Sequence, residues 1–221
     1  RNAGEKGILN NPGDDGWAVK NVEIARIPPP LPRKPRPVKP KKHYLSGVAL
    51  MPVGKMSLGK PFRKHHPCIE KKRGSVVFCL EPVQWPRAID PYFRVGSMLY
   101  QGARAIVRYD EGIASTYHIL FDSSAFDSLV SHYTARYGAP TEKLNRSIAP
   151  LAAPRQPNPI AMWRSVDPDT SLVSTLEIRK FDDSRDGFPD TKRGAIMLYH
   201  TWSEPIFPLL SIVELMLLDP S

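Results

Sequence analysis

The sequence predicts an α+β protein: an antiparallel sheet, or sheets, with one packed amphipathic helix, preceded by an extended N-terminal arm rich in Pro, Lys and Arg. Three observations predict it. Residues 28–42 read PPPLPRKPRPVKPKK, seven prolines and six cations with no acid among them. Residues 103–140 alternate apolar and polar, turn at a glycine, alternate again and then change to helical spacing. Further short alternating segments follow, separated by turns bearing Asp, Pro and Gly, which is the pattern of antiparallel strands.

The arm comes first. Residues 1–16 are polar and turn-rich, and residues 17–27 (WAVKNVEIARI) read as a short extended segment. Its apolar anchors are Trp17, Val19, Val22, Ile24 and Ile27. A lone strand has no stability of its own, so it is expected to add to a sheet edge of this chain or of a neighbour. In residues 28–42 proline fixes φ and removes the N–H, which excludes a helix interior or a central strand. A polyproline II rod of roughly 45 Å is expected there. Arg33, Lys34, Arg36, Lys39, Lys41 and Lys42 line it with positive charge. With no core of its own, the arm needs another surface to lie on, so 1–43 is expected to bind a partner while 44–221 forms the globular body.

Within the body, residues 43–62 (HYLSGVALMPVGKMSLGKPF) read as extended chain punctuated by Gly and Pro. Cys68 and Cys79 flank IEKKRGSVVF, a hairpin expected to turn at Arg73-Gly74 and to set the two thiols opposite each other. A two-residue loop makes them a hydrogen-bonded pair, which a disulfide fits less easily than the closer, non-hydrogen-bonded kind. A slightly longer loop or a bulge removes that objection. A disulfide is therefore the leading expectation and two reduced, buried thiols the alternative. Zinc held by His65, His66, Cys68 and Cys79 matches no structural spacing.

Residues 103–109 and 113–121 are expected as strands joined by Asp110-Glu111-Gly112, with Tyr109 opposite Ile113, Val107 opposite Ser115, Ala105 opposite Tyr117 and Ala103 opposite Ile119. A helix should follow at once. Ser124 is the expected N-cap and Asp127 an imperfect capping box. Phe126, Leu129, Val130, Tyr133 and Tyr137 form its apolar stripe, and Gly138 with Pro140 ends it. Residues 147–160 (SIAPLAAPRQPNPI) read as a Pro-rich linker and a sub-boundary within the body. Strands are then expected at 162–165, 171–181 and 194–202, and the apolar tail from Pro205 as a final strand or short helix.

The chain of 221 residues carries a net charge of +9, with 41% hydrophobic residues and 24 prolines. Residues 1–42 hold ten cations against four acids, residues 43–80 seven against one, and residues 81–221 fourteen against seventeen. The positive field thus belongs to the front of the chain, a distribution expected of an interaction surface. No run of 18 apolar residues occurs, so no membrane-spanning helix is expected. The first residue is Arg1 and not Met, as expected of a chain from which a leader, an anchor or a tag has been removed.

The composition of the arm is similar to the Pro/Lys spacers of periplasm-crossing proteins such as the energy transducer of outer-membrane receptors. The resemblance covers some fifteen residues, and the body does not match that family's C-terminal domain. It implies an arm that spans space between neighbouring subunits.

Motifs for chemistry are sparse. The loop DDSRDGFPD offers Asp182, Ser184, Asp186, Gly187 and Asp190, like the first half of an EF-hand loop, but Arg193 stands where the bidentate glutamate belongs. A polar hairpin loop is expected instead. His43, His65, His66, His118, His132 and His200 show no ligand spacing, and each is expected to be structural or superficial. Nucleophile-elbow, GxGxxG, P-loop and CxxC patterns are absent. No enzyme activity, cofactor, metal or small-molecule substrate is expected.

Lys55, Lys60, Arg63, Lys64, Lys71, Lys72 and Arg73 form a basic cluster around Phe62. Across residues 28–73 this front end is expected to meet an anionic surface: acidic protein, lipid headgroups or RNA. Two readings follow. One is a non-enzymatic structural or adaptor subunit of a periplasmic, cell-envelope assembly such as a secretion, pilus, flagellar or transport machine, with other protein subunits as partners. The other is an RNA-associated protein, for instance an organellar ribosomal subunit with a basic tail. The cysteine pair favours the first.

Overall fold

A computed structural model describes residues 43–63, 67–95, 103–185 and 187–218. The expected partner-binding residues from Trp17 to Lys42, together with Lys64, His65, His66 and Asp186, lie outside the described residues. The described residues fall in one compact unit of the chain, Lys41–Ser221.

They build a nine-stranded sheet with two short α-helices. The strands are β1 (Leu45–Ser46), β2 (Cys68–Lys71), β3 (Val76–Pro82), β4 (Arg104–Asp110), β5 (Ile113–Asp122), β6 (Glu142–Ile148), β7 (Gln156–Val166), β8 (Val173–Arg179) and β9 (Arg193–His200). Their order is β1-β7-β8-β9-β5-β4-β3-β2, with β6 also paired to β7. Every pairing is antiparallel except β1 on β7, where Leu45 lies opposite Ser165 in parallel, so the sheet is mixed where a wholly antiparallel one was expected.

The β4–β5 hairpin forms where expected, in a different register. Its loop is two residues, Glu111 at φ 49° and Gly112 at φ 77°, the left-handed pair whose twist matches the flanking strands. Asp110 therefore pairs with Ile113 and Tyr109 with Ala114. A one-residue slip of this kind would turn every later side chain to the wrong face. An irregularity in the ladder at Ser115 corrects it, so that Arg108 pairs with Thr116 and Val107 with Tyr117. Tyr117, Ile119 and Phe121 consequently share one core with Val107 and Tyr109, as expected. Ala114 replaces Ser115 in that core, and Ile113 is exposed.

Helix α1 (Phe126–Tyr137) follows β5 through a short 3-10 turn, Ser123–Ala125. The expected cap at Ser124 is displaced. Asp122 accepts from the Ser124 backbone N–H at 2.9 Å and from its hydroxyl at 2.6 Å, because the 3-10 turn moves the first free N–H groups back by two residues. Phe126, Leu129 and Tyr133 are buried against the sheet, with Val130 and Tyr137 packed beside them. Gly138, at φ 80°, returns its N–H to Thr134 O at 2.9 Å. The tyrosines also fix the chain ahead of the sheet: Tyr133 donates to Pro52 O and Tyr137 to Met51 O, each at 2.9 Å.

The linker expected at 147–160 is instead the β6–β7 hairpin, Ile148 pairing with Gln156. Pro157 and Pro159 fit because they alternate, so both missing N–H groups lie on the same side of β7. On that side β8 pairs only from Arg179, opposite Ile160. Asn158 completes the ladder with its side chain, donating to Phe181 O and accepting from Phe181 N, both at 2.9 Å.

Each face of the sheet has a core. One holds Trp163, Tyr117, Phe121, Leu176 and Ile196 beneath α1. The other holds Val76, Phe78, Leu80, Ile106 and Leu120 beneath Ile206, Phe207, Leu210 and helix α2 (Ile212–Leu218), so the apolar tail resolves as a helix. Gly194 lies where β9 crosses the Phe121 ring. A Cβ there would stand 2.2 Å from that ring and 2.6 Å from Arg179 O. Gly194→Ala is therefore expected to cost about 1–3 kcal/mol by overpacking, read as a lower urea midpoint.

Candidate functional site

Two features stand out: a disulfide-closed edge hairpin joined to the C-terminal helix, and a band of buried charge around a cavity. The Cys68–Cys79 disulfide is formed, with the Cα atoms 4.2 Å apart. Cys68 pairs with Cys79 as expected, but the loop is longer than two residues. Lys71 and Val76 are the last ladder partners, and Lys72, Arg73 and Gly74 all take positive φ. Leu80 N–H reaches Pro67 O at 3.1 Å, which makes 67/80 the hydrogen-bonded pair and 68/79 the close, non-hydrogen-bonded one. The longer loop is thus what admits the bond. Disulfides persist in oxidising compartments, and this one accords with an extracytoplasmic setting.

The basic cluster is largely engaged at home. Lys60 pairs with Glu81 at 3.1 Å and Lys72 with Glu204 at 3.2 Å, while Lys71 pairs with Glu214 on α2. The Lys71 ammonium, together with the Ser211 N–H, draws the Glu214 carboxyl down to about 2. Arg63 and Lys55 are exposed, and Arg73 occupies the tip of the hairpin turn. Two cations of the cluster therefore hold the C-terminal segment against the disulfide hairpin.

That segment presents an unusual helix. IVELMLL has one polar residue in seven, yet among the described residues only one side is covered. Leu215 and Leu218 are buried, whereas Val213 is 68% and Leu217 70% exposed. Ile212 and Met216 extend the exposed side.

The second feature was not foreseen. On the α2 face of the sheet, the ladder brings Thr116 beside Tyr199 and His118 beside Met197, with Glu177 next to Met197 from β8. Alternation puts Thr175, Glu177 and Arg179 on this face of β8, a pattern that reads as a solvated edge in sequence. Here Glu177 is buried, accepting from Arg179 Nε and from the Tyr199 hydroxyl, each at 2.6 Å. Arg179 also meets Asp183 at 2.5 Å. Burial and the Glu177 carboxylate push the Tyr199 hydroxyl above its ordinary range. Nearby, the buried Arg108 reaches Asp110 at 2.7 Å, Glu204 at 2.8 Å and Pro205 O at 3.0 Å.

Asp182 is the most buried acid of this band. Burial alone would raise its carboxyl, but the His118 imidazole, the Arg185 guanidinium and the Ser184 hydroxyl outweigh it and hold the group well below its ordinary value. His118 Nε2 lies 2.9 Å from Ser184 Oγ and 3.4 Å from Asp182 Oδ1, while the Ser184 hydroxyl donates to Asp182. Both partners meet the same ring nitrogen. A Ser-His-Asp relay needs them on opposite nitrogens with the serine proton directed to histidine, so this trio clamps a loop and does not activate a nucleophile. Asp190 is bound in turn by Arg193 at 2.8 Å and Arg185 at 3.3 Å. The EF-hand-like loop is accordingly a hairpin loop closed by a bridge between Asp182 and Asp190. Among the described residues no three acids, histidines or cysteines are grouped as metal ligands.

Beside this band lies a half-open cavity of about 150 Å³ bounded by Thr116, His118, Arg179, Met197, Tyr199, Ile206 and Phe207. Compared with protein-family models, with curated proteins and with solved structures, the chain finds no match in any of the three.

Proposed function

We propose that the protein is a non-enzymatic docking subunit of a multi-protein assembly in the cell envelope, on the periplasmic side. The observation that carries this reading is α2: a helix apolar on both sides but covered on one. A helix that is apolar all round belongs in an interior, and exposed apolar surface of this kind usually marks a site for another protein. The disulfide supports an oxidising setting. The ion pairs of Lys60, Lys71 and Lys72 reduce the charge offered to a phosphate backbone and weigh against the RNA reading. In this proposal residues 17–42 supply a second, extended contact, the strand at 17–27 adding to a neighbour's sheet and the Pro/Lys/Arg rod spanning between subunits.

The test is co-purification from an oxidising compartment after mild cross-linking. Val213→Asp combined with Leu217→Asp should leave the body folded and remove its cross-linked neighbours, and a chain lacking residues 1–42 should fold and lose a different subset. Unchanged cross-links in the α2 double variant would overturn the docking role of that helix.

A further inference from the structure

We propose that the outer edge of β6 pairs with β6 of a second copy of this chain, antiparallel about a two-fold axis at Leu144, so that two sheets join into one. The inference stands apart from the docking role of α2.

An edge strand offers a row of unpaired N–H and C=O groups, and proteins blunt such edges by shortness, proline, a bulge or a cover. Among the described residues β6 shows none of these. It is seven residues long and lacks proline, and its ladder with β7 runs unbroken from Glu142 on Met162 to Ile148 on Gln156. Its other side pairs with no described strand, and residues 143–147 are exposed. The opposite end of the sheet differs. There β2 is four residues long, bonded to β3 by the disulfide and to α2 through Lys71.

Charge and register choose the occupant. Side chains alternate along a strand, so Glu142, Leu144 and Arg146 share one face of β6. A two-fold axis normal to the sheet keeps each face on its own side, so facing residues come from the same alternate set and the axis falls on a residue. An axis at Lys143 or Arg146 sets like cations opposite each other, which destabilises a ladder. At Asn145 it sets Leu144 against the partner's Arg146 and Glu142 against the partner's Ile148, and at Ser147 the ladder is too short to hold. At Leu144 it sets Glu142 opposite the partner's Arg146 and, by symmetry, Arg146 opposite the partner's Glu142. The two Leu144 side chains meet between these pairs, and Lys143 faces the partner's Asn145. This register alone matches charge to charge and apolar to apolar.

The groups are placed for it. Arg164 on β7 takes Glu142 Oε2 at 2.6 Å and orients the carboxylate, whose side chain stays 29% exposed. Arg146 is exposed and meets no acid among the described residues, and Leu144 is 37% exposed. Such a ladder is small beside the roughly 800 Å² per partner of a stable interface, so the dimer is weak.

The experiment is sedimentation equilibrium of the whole chain from about 10 µM to 1 mM, the range of a small interface. A monomer–dimer equilibrium is expected. Arg146→Glu turns both ion pairs into repulsions and should raise the dissociation constant at least about tenfold, while Val213→Asp with Leu217→Asp leaves it unchanged. The chain's two cysteines are bonded to each other, so an introduced thiol reports its own neighbours. Leu144→Cys should cross-link into dimers under mild oxidation, and faster than Asn145→Cys, because Cβ atoms directly opposite in a ladder stand about 4.5–5.5 Å apart. The pairing is overturned by a chain that stays monomeric throughout, by a dimer insensitive to Arg146→Glu, by dimerisation lost in the α2 double variant, or by Asn145→Cys cross-linking as fast as Leu144→Cys. The third result would place the contact on α2, and the fourth would place it in another register.

Discussion

Asp182→Ala is expected to destabilise the protein by about 3–5 kcal/mol, the cost of breaking a buried ion pair from one side. The carboxylate is fully enclosed and is shared by Arg185 at 2.6 Å, by His118 and by Ser184. Removing it leaves a 2%-exposed imidazole and a largely buried guanidinium facing a void. The backbone bridge between Asp182 and Asp190 loses its side-chain support as well. Urea unfolding measures the effect as a lower midpoint with an unchanged slope. Asp182→Asn keeps the shape and one acceptor, and should fall between alanine and wild type. A loss under about 1 kcal/mol for alanine, the size of an ordinary surface change, would mean that the network contributes nothing.

The same carboxylate sets a pH dependence. Its folded-state value lies below the ordinary 3.8, so its contribution is complete above that pH and is lost as pH falls through the lower folded value. Glu214 acts in the same direction between 4.5 and about 2. Wild-type stability should therefore drop steeply with acid below these ordinary values, and Asp182→Ala should show a shallower slope over the same range.

How legible all this was in the sequence depends on whether a feature is local. The β4–β5 hairpin, α1 and the facing cysteines were readable because alternation, a glycine in a turn and an apolar stripe at helical spacing are decided within a few residues. The register of β4 and β5 was not. A two-residue and a three-residue loop differ only in whether Asp110 joins the ladder, and the correction at Ser115 follows from the need to bury Tyr117 and Phe121. The linker reading failed at residues 147–160 because proline signals a break unless its missing N–H lies on an unpaired side, and only the end of β8 at Arg179 decides that. The candidate site was the least legible part. Glu177 and Arg179 look like a solvated strand face, and nothing local reveals that Tyr199, the 182–190 loop and the strap from Ser203 to Phe207 cover them. One clue was present: Arg108 lies in a run of alternating strand residues just before an acid at Asp110, and a cation in that position needs a partner if its face is covered.

Reduction of the Cys68–Cys79 bond is expected to cost about 3 kcal/mol, since a cross-link spanning 11 positions restrains a loop of modest size. Reduction isolates this effect better than mutation does. Cys79 is buried opposite Val107, so an alanine would also open a cavity, whereas the reduced thiol still fills its place. The loss should be local before it is global. Among the described residues β2 is a four-residue strand with one neighbour, β3, and strands so short hold poorly without a staple. The hairpin also carries Lys71 and Lys72, the partners of Glu214 and Glu204. When it frays, α2 loses an anchor at the helix whose outer side is already exposed. Amide exchange should therefore accelerate together in residues 67–75 and 211–218 on adding reductant, while β5, β8 and β9 stay protected. If exchange in α2 does not change while the hairpin opens, the helix is held by Leu215 and Leu218 alone, and the oxidised edge does not govern how the protein presents its apolar surface.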